Sequence, residues 1–426
     1  MKRIERVRLY PTNRQAQRLQ FMLDVTRELY NALLQERRDA YKHRGVRITS
    51  KQQYAEITAL RKLGHRLDMR LGAVYRECED AVLHRLDLAF AAFFRRVARG
   101  EAPGYPRYKP RSRWMQLEFP HGDRALKFSA AQNKVSIPGI GAVRLRKGRA
   151  VPPFGRAWLV CKNERWYACF ECERAITPLP RNDKMLGIDR GAWVLAATSD
   201  GQLIDNKAVG ERNRRRIAGH QRALEAVTER DGAGRVRNRR DPLRISAALR
   251  LARAKEREAN RRRDDLHKKA RQIVNAAGII ALEKLNVRAM TRSAKGTPEK
   301  PGRNVAAKAG LNRRILDASF GQLERLIVEK AEEAARTIVW VDARFSSQEC
   351  SHCGHIARES RRRRRFACVR CGLTCHADVN AALVIRGRAQ LCARRMPDAG
   401  AKPVTQYDAA YGIHNDLPRL HRRAER

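Results

Sequence analysis

Four cysteines in two closely spaced pairs constrain the fold of this chain more than any other feature. The pairs are Cys350-Ser-His-Cys353 and Cys368-Val-Arg-Cys371, with 14 residues between them. A Cys-x-x-Cys turn brings two thiolates together, and two such turns can surround one Zn²⁺ with four sulfur ligands in a tetrahedron. The spacing therefore predicts a structural zinc site with Cys350, Cys353, Cys368 and Cys371 as its ligands.

Alternatives to this ligand set stay open in the sequence. The cysteines could be free thiols, or one could be replaced by a neighbouring His352, His355, Cys375 or His376. A second group, Cys161 with Cys169-Phe-Glu-Cys172, is a weaker candidate, because residues three apart on a strand point to opposite faces and no second pair follows. We interpret these three cysteines as core or surface thiols.

The net charge narrows the choice of partner. The 426-residue chain has 91 Lys and Arg against 45 Asp and Glu, which gives a formal charge of +46. This excess is far beyond what solubility requires and favours a long polyanion, with nucleic acid as the first candidate. Ribosomal and histone-like proteins are also basic, but those roles do not require acidic residues inside apolar segments. A length of 426 residues with 43% hydrophobic residues further indicates several packed units.

Membrane targeting is not indicated by the sequence. It has no 20-residue apolar segment, and no signal-peptide core follows Met1-Lys-Arg-Ile-Glu-Arg. We therefore expect a cytoplasmic protein without a membrane partner, and we expect its ten cysteines to be reduced rather than paired in disulfides.

Three acidic residues stand in settings that suggest catalysis. Asp189 lies inside the apolar run Met185-Leu-Gly-Ile-Asp-Arg, and Glu283 lies inside Gly278-Ile-Ile-Ala-Leu-Glu-Lys-Leu, both of which are predicted to be short buried strands. Asp378 stands at the predicted start of a helix in His376-Ala-Asp-Val-Asn-Ala-Ala382. Carboxylates buried near one another are costly unless cations neutralise them, and a pair of Mg²⁺ ions held by such acids can hydrolyse a phosphodiester. The pattern predicts a nuclease centre. Taken singly, a strand aspartate could instead belong to a turn or a salt bridge, and Asp378 could simply cap its helix.

The rest of the chain is divided by its hydrophobic pattern. A strand is predicted at 4–10, a basic helical bundle at 19–99, an antiparallel β-barrel at 125–173 that the first strand completes, a helical hairpin at 212–275 and one amphipathic helix over Leu311 to Arg336. Three antiparallel strands are expected from Asp189 to residue 206. Residues 391–426 lack periodicity and are predicted to be a disordered tail.

Several stretches resemble the TnpB (OrfB) family of insertion-sequence proteins, compact relatives of type V CRISPR effectors, over residues 2–390. They are Arg8-Leu-Tyr-Pro-Thr12, Gly187-Ile-Asp-Arg-Gly191, Leu282-Glu-Lys-Leu-Asn-Val287, Gly310-Leu-Asn-Arg-Arg-Ile-Leu-Asp317, Ser347-Gln-Glu-Cys-Ser-His-Cys-Gly354 and Ala377-Asp-Val-Asn-Ala-Ala382. The resemblance implies a multidomain α+β fold. It comprises a wedge β-barrel (1–12 and 105–180), a helical recognition lobe (13–104), a RuvC-like, ribonuclease H-like nuclease domain (181–346 and 375–390) and a zinc ribbon (347–374).

The resemblance also implies a function. Asp189, Glu283 and Asp378 would be the three RuvC acids, and the paired cysteines would hold zinc. The activity implied is RNA-guided cleavage of double-stranded DNA beside a short transposon-adjacent motif, with a guide RNA derived from the mobile element and a location on the nucleoid. Two alternatives are a guided DNA-binding regulator that does not cut and a transposase that joins DNA ends. The intact acids argue against the first, and the cysteine pairs ahead of Asp378 argue against the second.

Three local features depart from the familiar pattern. They are Trp193 close after the first acid, a basic insertion at 230–241, and an arginine run at 361–365 that could contact a phosphate backbone or be a solvated loop tip. Six aromatic residues could stack on bases or fill the core and surface: Tyr10, Tyr54, Phe94, Tyr105, Tyr108 and Trp114.

Overall fold

The computed structural model of the chain describes residues 2–63, 70–148, 151–205, 211–297 and 299–394. These residues form two units, which are divided between Arg174 and Ala175. Each unit combines helices with β-sheet, so the expectation of a multidomain α+β protein is confirmed at this level. None of the helices in the described ranges is long and apolar enough to cross a lipid bilayer.

The first unit contains a helical bundle and an antiparallel sheet. Its strands and helices are β1 (Lys2–Tyr10), α1 (Asn13–Arg44), α2 (Ser50–Leu63), α3 (Arg76–Ala98), β2 (Gln116–Phe119), α4 (Gly122–Ala125), β3 (Lys127–Ser129), β4 (Lys134–Ile137), β5 (Gly141–Leu145), β6 (Phe154–Lys162) and β7 (Arg165–Glu173). A capping box begins α1, because the Thr12 hydroxyl accepts from the Gln15 N–H and the Gln15 side chain accepts from the Thr12 N–H.

The sheet of the first unit has the strand order β2-β6-β7-β1-β5-β4-β3. Strand β1 lies at its centre, with Lys2 to Arg8 paired to β7 and with Leu9 and Tyr10 paired to β5. The first strand therefore joins the later strands, as predicted. Among the described residues no pairing between β2 and β3 closes the sheet, and the barrel stays a prediction.

The second unit contains a five-stranded mixed sheet and a small three-stranded sheet. Its elements are β8 (Met185–Asp189), β9 (Val194–Thr198), β10 (Leu203–Asp205), α5 (Glu211–Ala226), α6 (Pro242–Ala276), β11 (Ile279–Glu283), α7 (Val287–Met290), α8 (Val305–Ala318), α9 (Phe320–Glu333), β12 (Thr337–Val341), β13 (Arg361–Arg362), β14 (Arg365–Ala367), β15 (Thr374–His376) and α10 (Ala377–Arg394). The order of the larger sheet is β10-β9-β8-β11-β12. Strands β8, β11 and β12 are parallel, and β8, β9 and β10 are antiparallel as predicted.

Helices cover both faces of this mixed sheet. On one face, Leu186, Ile188 and Leu282 belong to a core with residues of α6, α8 and α9. On the opposite face, Ala281 and Val339 pack with residues of α10. Because side chains alternate along a strand, residues 185, 187 and 189 of β8 and residues 279, 281 and 283 of β11 face α10.

Two sequence predictions are wrong in this unit. The single helix expected from Leu311 to Arg336 is two helices, because Ser319 adopts a left-handed conformation (φ 54°) that ends α8 and starts α9. The tail was expected to begin at residue 391, but α10 continues to Arg394. Residues 395–426 of the predicted tail lie outside the described residues.

Candidate nuclease centre and zinc site

Strand register brings the first two predicted acids together. Leu282 of β11 pairs with Ile188 of β8, so the following residues, Glu283 and Asp189, are neighbours at the carboxyl ends of two parallel strands. Their side chains point to the face that α10 covers. The two carboxyl groups share a hydrogen bond.

A glycine in β8 lets α10 bring the third acid to the same place. A Cβ added at Gly187 would lie 2.1 Å from the carbonyl oxygen of Ala382 and 2.7 Å from the backbone nitrogen of Arg386. The helix backbone therefore rests directly on the strand. Asp378 is one turn before Ala382 on the same helix face, which directs it toward the strand ends where Asp189 and Glu283 lie. The charge of Asp378 therefore acts on Asp189, although among the described residues the three carboxylates do not form a converging group of ligand atoms like that of the cysteines.

The positive charge near these acids does not offset the cost of burying and ionising them. Burial, and then the charges of Glu283 and Asp378, raise the pKa of Asp189 well above its usual value, against an opposing effect of Arg361. Burial also raises the pKa of Glu283, and Arg190 opposes that shift. Buried carboxylates with this deficit of positive charge are suitable ligands for a hard cation such as Mg²⁺.

Two arginines hold the edges of the cluster. The side chain of Arg190 is fully buried, donates to the carbonyl oxygen of Glu283 at 2.5 Å and pairs with the carboxylate of Glu324. Arg361 of β13 donates to Asp378 with an Nη2 to Oδ1 distance of 2.8 Å.

Sequence reasoning did not place Arg361 in the site. Arg361 begins the arginine run and is only partly exposed, whereas the four arginines from Arg362 to Arg365 are exposed. The run alone gives no signal that its first member differs, because that depends on how the small sheet folds back on α10.

The four predicted cysteines converge. All four Sγ atoms lie within 4.8 Å of one another, and the pairs Cys350–Cys371 and Cys353–Cys368 are 3.6 Å apart. Zinc–sulfur bonds of about 2.3 Å in a regular tetrahedron place the sulfur atoms about 3.8 Å apart, so these thiols fit a Zn²⁺ ion. The main-chain N–H of Cys371 donates to Cys368 and lowers the pKa of that thiol, whereas, against the lowering effect of a backbone hydrogen bond from Leu373, hydrogen bonds with the other three thiols raise the pKa of Cys371.

Both cysteine turns have the same backbone conformation. Each pair is followed by a glycine with positive φ, Gly354 at 70° and Gly372 at 74°, and the N–H of each glycine donates to the carbonyl oxygen of the first cysteine of its pair. This Cys-x-x-Cys-Gly pattern was readable in the sequence as a turn signal.

The alternative zinc ligands are placed outside the group of four converging thiols. His352, His355 and Cys375 are not members of that group, and the ring Nδ1 of His376 accepts from the N–H of Asp378 at 3.3 Å. The earlier cysteines Cys161, Cys169 and Cys172 form no converging group within the described ranges. Burial raises the pKa of each of these three thiols, as expected for inert core thiols.

One buried amide joins the zinc site to the helix that carries the third acid. Asn380 is fully buried, its side-chain nitrogen donates to the carbonyl oxygen of Glu349 at 2.7 Å, and its side-chain oxygen accepts from the N–H of Ser351 at 3.0 Å. Both partners flank Cys350. Farther along α10, Arg388 donates to the carbonyl oxygens of Asp342 (2.5 Å) and Arg344 (2.8 Å). The segment that enters the first cysteine turn is therefore fixed to the helix of Asp378.

The aromatic candidates separate into two groups. Trp114 is a core residue, 3% exposed, whose indole N–H donates to the hydroxyl of Thr26 at 3.0 Å. The other five keep 40% or more of their surface exposed and stay available for stacking: Tyr10, Tyr54, Phe94, Tyr105 and Tyr108.

Comparison with known proteins identifies the family. A relative from Escherichia coli (strain K12), named "Putative RNA-guided DNA endonuclease InsQ", is 31% identical over 329 residues, which cover 76% of this chain and 77% of the relative. The chain belongs to the TnpB (OrfB) family. The resemblance found in the sequence is thereby confirmed. A second TnpB-like relative, "Putative RNA-guided DNA endonuclease" of Streptomyces pristinaespiralis, is 28% identical over 90% of this chain and 88% of its own length.

Family profiles match three parts of this TnpB chain. They are "Helix-turn-helix domain" at residues 1–46, "Probable transposase" at residues 167–294 and "Cas12f1-like, TNB domain" at residues 320–385. The last two contain all three acids and all four paired cysteines. Within the first, residues 2–46 form strand β1 and the single continuous helix α1, not two helices joined by a turn.

A solved structure, "Structure of the mini-RNA-guided endonuclease CRISPR-Cas_phi3", is also similar to this TnpB chain. It is 9% identical, with a TM-score of 0.43, over 95% of this chain and 93% of that chain.

Proposed function

We propose that this protein is an RNA-guided DNA endonuclease with a RuvC-like, ribonuclease H-like nuclease domain and a zinc ribbon inserted before its third acid. The observation that supports the proposal is that the charges of Glu283 and Asp378 both act on Asp189, in a chain whose relatives are named RNA-guided DNA endonucleases. The proposed partners are a guide RNA derived from the mobile element and double-stranded target DNA carrying a short adjacent motif. The proposed location is the cytoplasm, on nucleoid DNA.

The three acids are the residues proposed to hold Mg²⁺. Two Mg²⁺ ions bound there would activate a water and stabilise the leaving oxygen of a phosphodiester. Burial raises the pKa of both Asp189 and Glu283, so a bound cation would be needed to hold the two carboxylates in their charged form. Arg190 fixes the backbone of Glu283, and the guanidinium of Arg361 presents donors that suit a phosphate oxygen beside Asp378.

The four cysteines are proposed to hold one Zn²⁺ with a structural role. A closed four-sulfur site leaves no open position for a substrate, so the ion would stabilise the fold of the ribbon rather than react. Through Asn380, that fold sets the position of α10 and hence of Asp378.

Asp189→Asn tests the cleavage function while preserving shape. The protein is purified with the RNA that accompanies it, the RNA is sequenced, and linear double-stranded DNA that matches it is offered with Mg²⁺. Wild type and the control Asp183→Asn, an exposed aspartate of the same segment, should cut. Asp189→Asn should retain RNA and lose cutting by at least a hundredfold.

Two outcomes would contradict the proposal. Retained cutting by Asp189→Asn would remove this residue from the centre. Wild type that binds matched DNA through its RNA without cutting it would support the regulator, and joining of DNA ends without any RNA would support the transposase.

A further inference from the structure

Trp193 is placed unusually for a tryptophan. Its side chain is 60% exposed, although it lies in the turn between β8 and β9 only four residues after Asp189. Tryptophan is highly buried on average, so an exposed indole beside a catalytic cluster needs an explanation. Four residues of extended chain span at most about 14 Å, which limits the distance between the Cα atoms of Trp193 and Asp189.

The turn that presents Trp193 is held by several contacts. Arg190 anchors its start to the carbonyl oxygen of Glu283 and to Glu324. The N–H of Gly191 donates to the carbonyl oxygen of Leu195 at 3.3 Å, and a Cβ at Gly191 would lie 2.7 Å from the carbonyl oxygen of Val194. The backbone on either side of Trp193 is therefore fixed relative to the acids.

Arg314 covers one face of the indole. Its guanidinium carbon lies 3.6 Å from the centroid of the Trp193 ring, the closest of the arginine–aromatic contacts described in this chain. A cation on one face of an indole leaves the other face available to a planar group, and it adds positive potential beside that face. The neighbouring helix surface has one further exposed residue that suits a nucleotide, Leu311, which offers an apolar contact to a ring.

We propose that Trp193, supported by Arg314, is a stacking platform for one base of the DNA strand that enters the acid cluster. The inference rests on the proposed function and extends it to a substrate subsite. Because the chain between Asp189 and Trp193 is this short, the stacked base would lie within a few nucleotides of the phosphate that is cut. Stacking accepts any base, because every base has a planar face, so the platform holds the strand without adding sequence preference.

If Trp193 and Arg314 only pack on each other at the surface, removal of the indole should affect DNA cleavage differently than if the indole stacks on a base. If Arg314 only shields an exposed indole, removal of the indole changes nothing that depends on the DNA. If the indole stacks on a base, its removal slows single-turnover cleavage by roughly five- to a hundredfold, the range expected for one base–aromatic stack. The loss must disappear when the stacked base is absent.

The test compares Trp193→Ala and Trp193→Phe with wild type on substrates that carry a single abasic site, moved one nucleotide at a time around the cut. Trp193→Ala should be slowed on intact DNA and should match wild type at one abasic position. Trp193→Phe should keep most of the rate at every position. Arg314→Gln should show a smaller loss with the same position dependence, and Arg313→Gln, which removes the same charge from the same helix, should show none.

A second measurement separates this inference from the cleavage activity. Single-stranded DNA that contains 2-aminopurine is bound to the complete protein–RNA complex, and its fluorescence should be quenched at one position by wild type but not by Trp193→Ala. If wild type binds DNA but does not cut it, the endonuclease proposal fails while this measurement still decides the platform. Equal fluorescence and equal cleavage for Trp193→Ala and wild type at every position would overturn the platform.

Discussion

Gly187→Ala tests the packing that positions Asp378. The new Cβ would lie 2.1 Å from the carbonyl oxygen of Ala382 and 2.9 Å from the Cβ of Arg386. The nearest obstacle is helix backbone, which cannot rotate away as a side chain can. Restoring an ordinary van der Waals contact requires α10 to move away from β8 by roughly 1.3 Å. A misplacement of about 1 Å between reacting groups can lower a rate about a hundredfold.

The assay is single-turnover cleavage of matched DNA by the protein–RNA complex, together with thermal unfolding. Gly187→Ala should cut about a hundredfold more slowly, with rates compared at equal content of bound RNA. The matched control is Gly387→Ala in α10 itself, where nothing lies within 4 Å of the added Cβ. That change should leave the rate unaltered and increase helix stability by about 0.5–1 kcal/mol. A wild-type rate for Gly187→Ala would refute the argument that this contact sets the position of Asp378.

Two further predictions concern the zinc site and a buried acid. Cys353→Ser should reduce bound zinc from about one ion per chain to almost none and should abolish cleavage, whereas Cys392→Ser, at an exposed cysteine, should change neither. Elemental analysis measures the zinc content, and cleavage rates are compared in parallel. Full zinc content in Cys353→Ser would contradict the ligand assignment. In the first unit, burial raises the pKa of Glu79 to about 7 against the opposing charge of Arg61. The folded protein therefore binds the proton of the Glu79 carboxyl more tightly than the unfolded chain does. This binding stabilises the fold by on the order of 3 kcal/mol below about pH 4.5, and the stabilisation is lost as the pH rises through about 7. The free energy of unfolding is measured with denaturant from pH 5 to 8, and Glu79→Gln should gain stability relative to wild type as the pH rises. Glu101→Gln, at an exposed glutamate, is the control. A difference in unfolding free energy between Glu79→Gln and wild type that does not vary with pH would contradict the prediction.

The acids and their strands were predictable because their signals are local. Asp189 and Glu283 lie in apolar runs whose composition favours short buried strands. Their meeting depends on the register of β8 with β11 and on the approach of α10 at Gly187, which are contacts between segments about 90 or more residues apart. No local sequence pattern predicts contacts between segments so far apart in the chain.

The errors have a similar cause. Apolar periodicity continues from α8 into α9, so the pattern does not reveal that Ser319 turns the chain between two helices. The position of Arg361 depends on the small sheet that the cysteine turns organise. An arginine run has the same sequence whether its first member faces an acid or solvent.

The amide of Asn380 makes two chemically unrelated sites depend on each other. It holds both sides of Cys350 from a helix that begins with a proposed Mg²⁺ ligand, so a disturbance of the sulfur cage is transmitted to the hydrolytic centre through two hydrogen bonds. Within such an architecture, decay of the cysteine turns would silence cutting even in a chain whose three carboxylates are all intact.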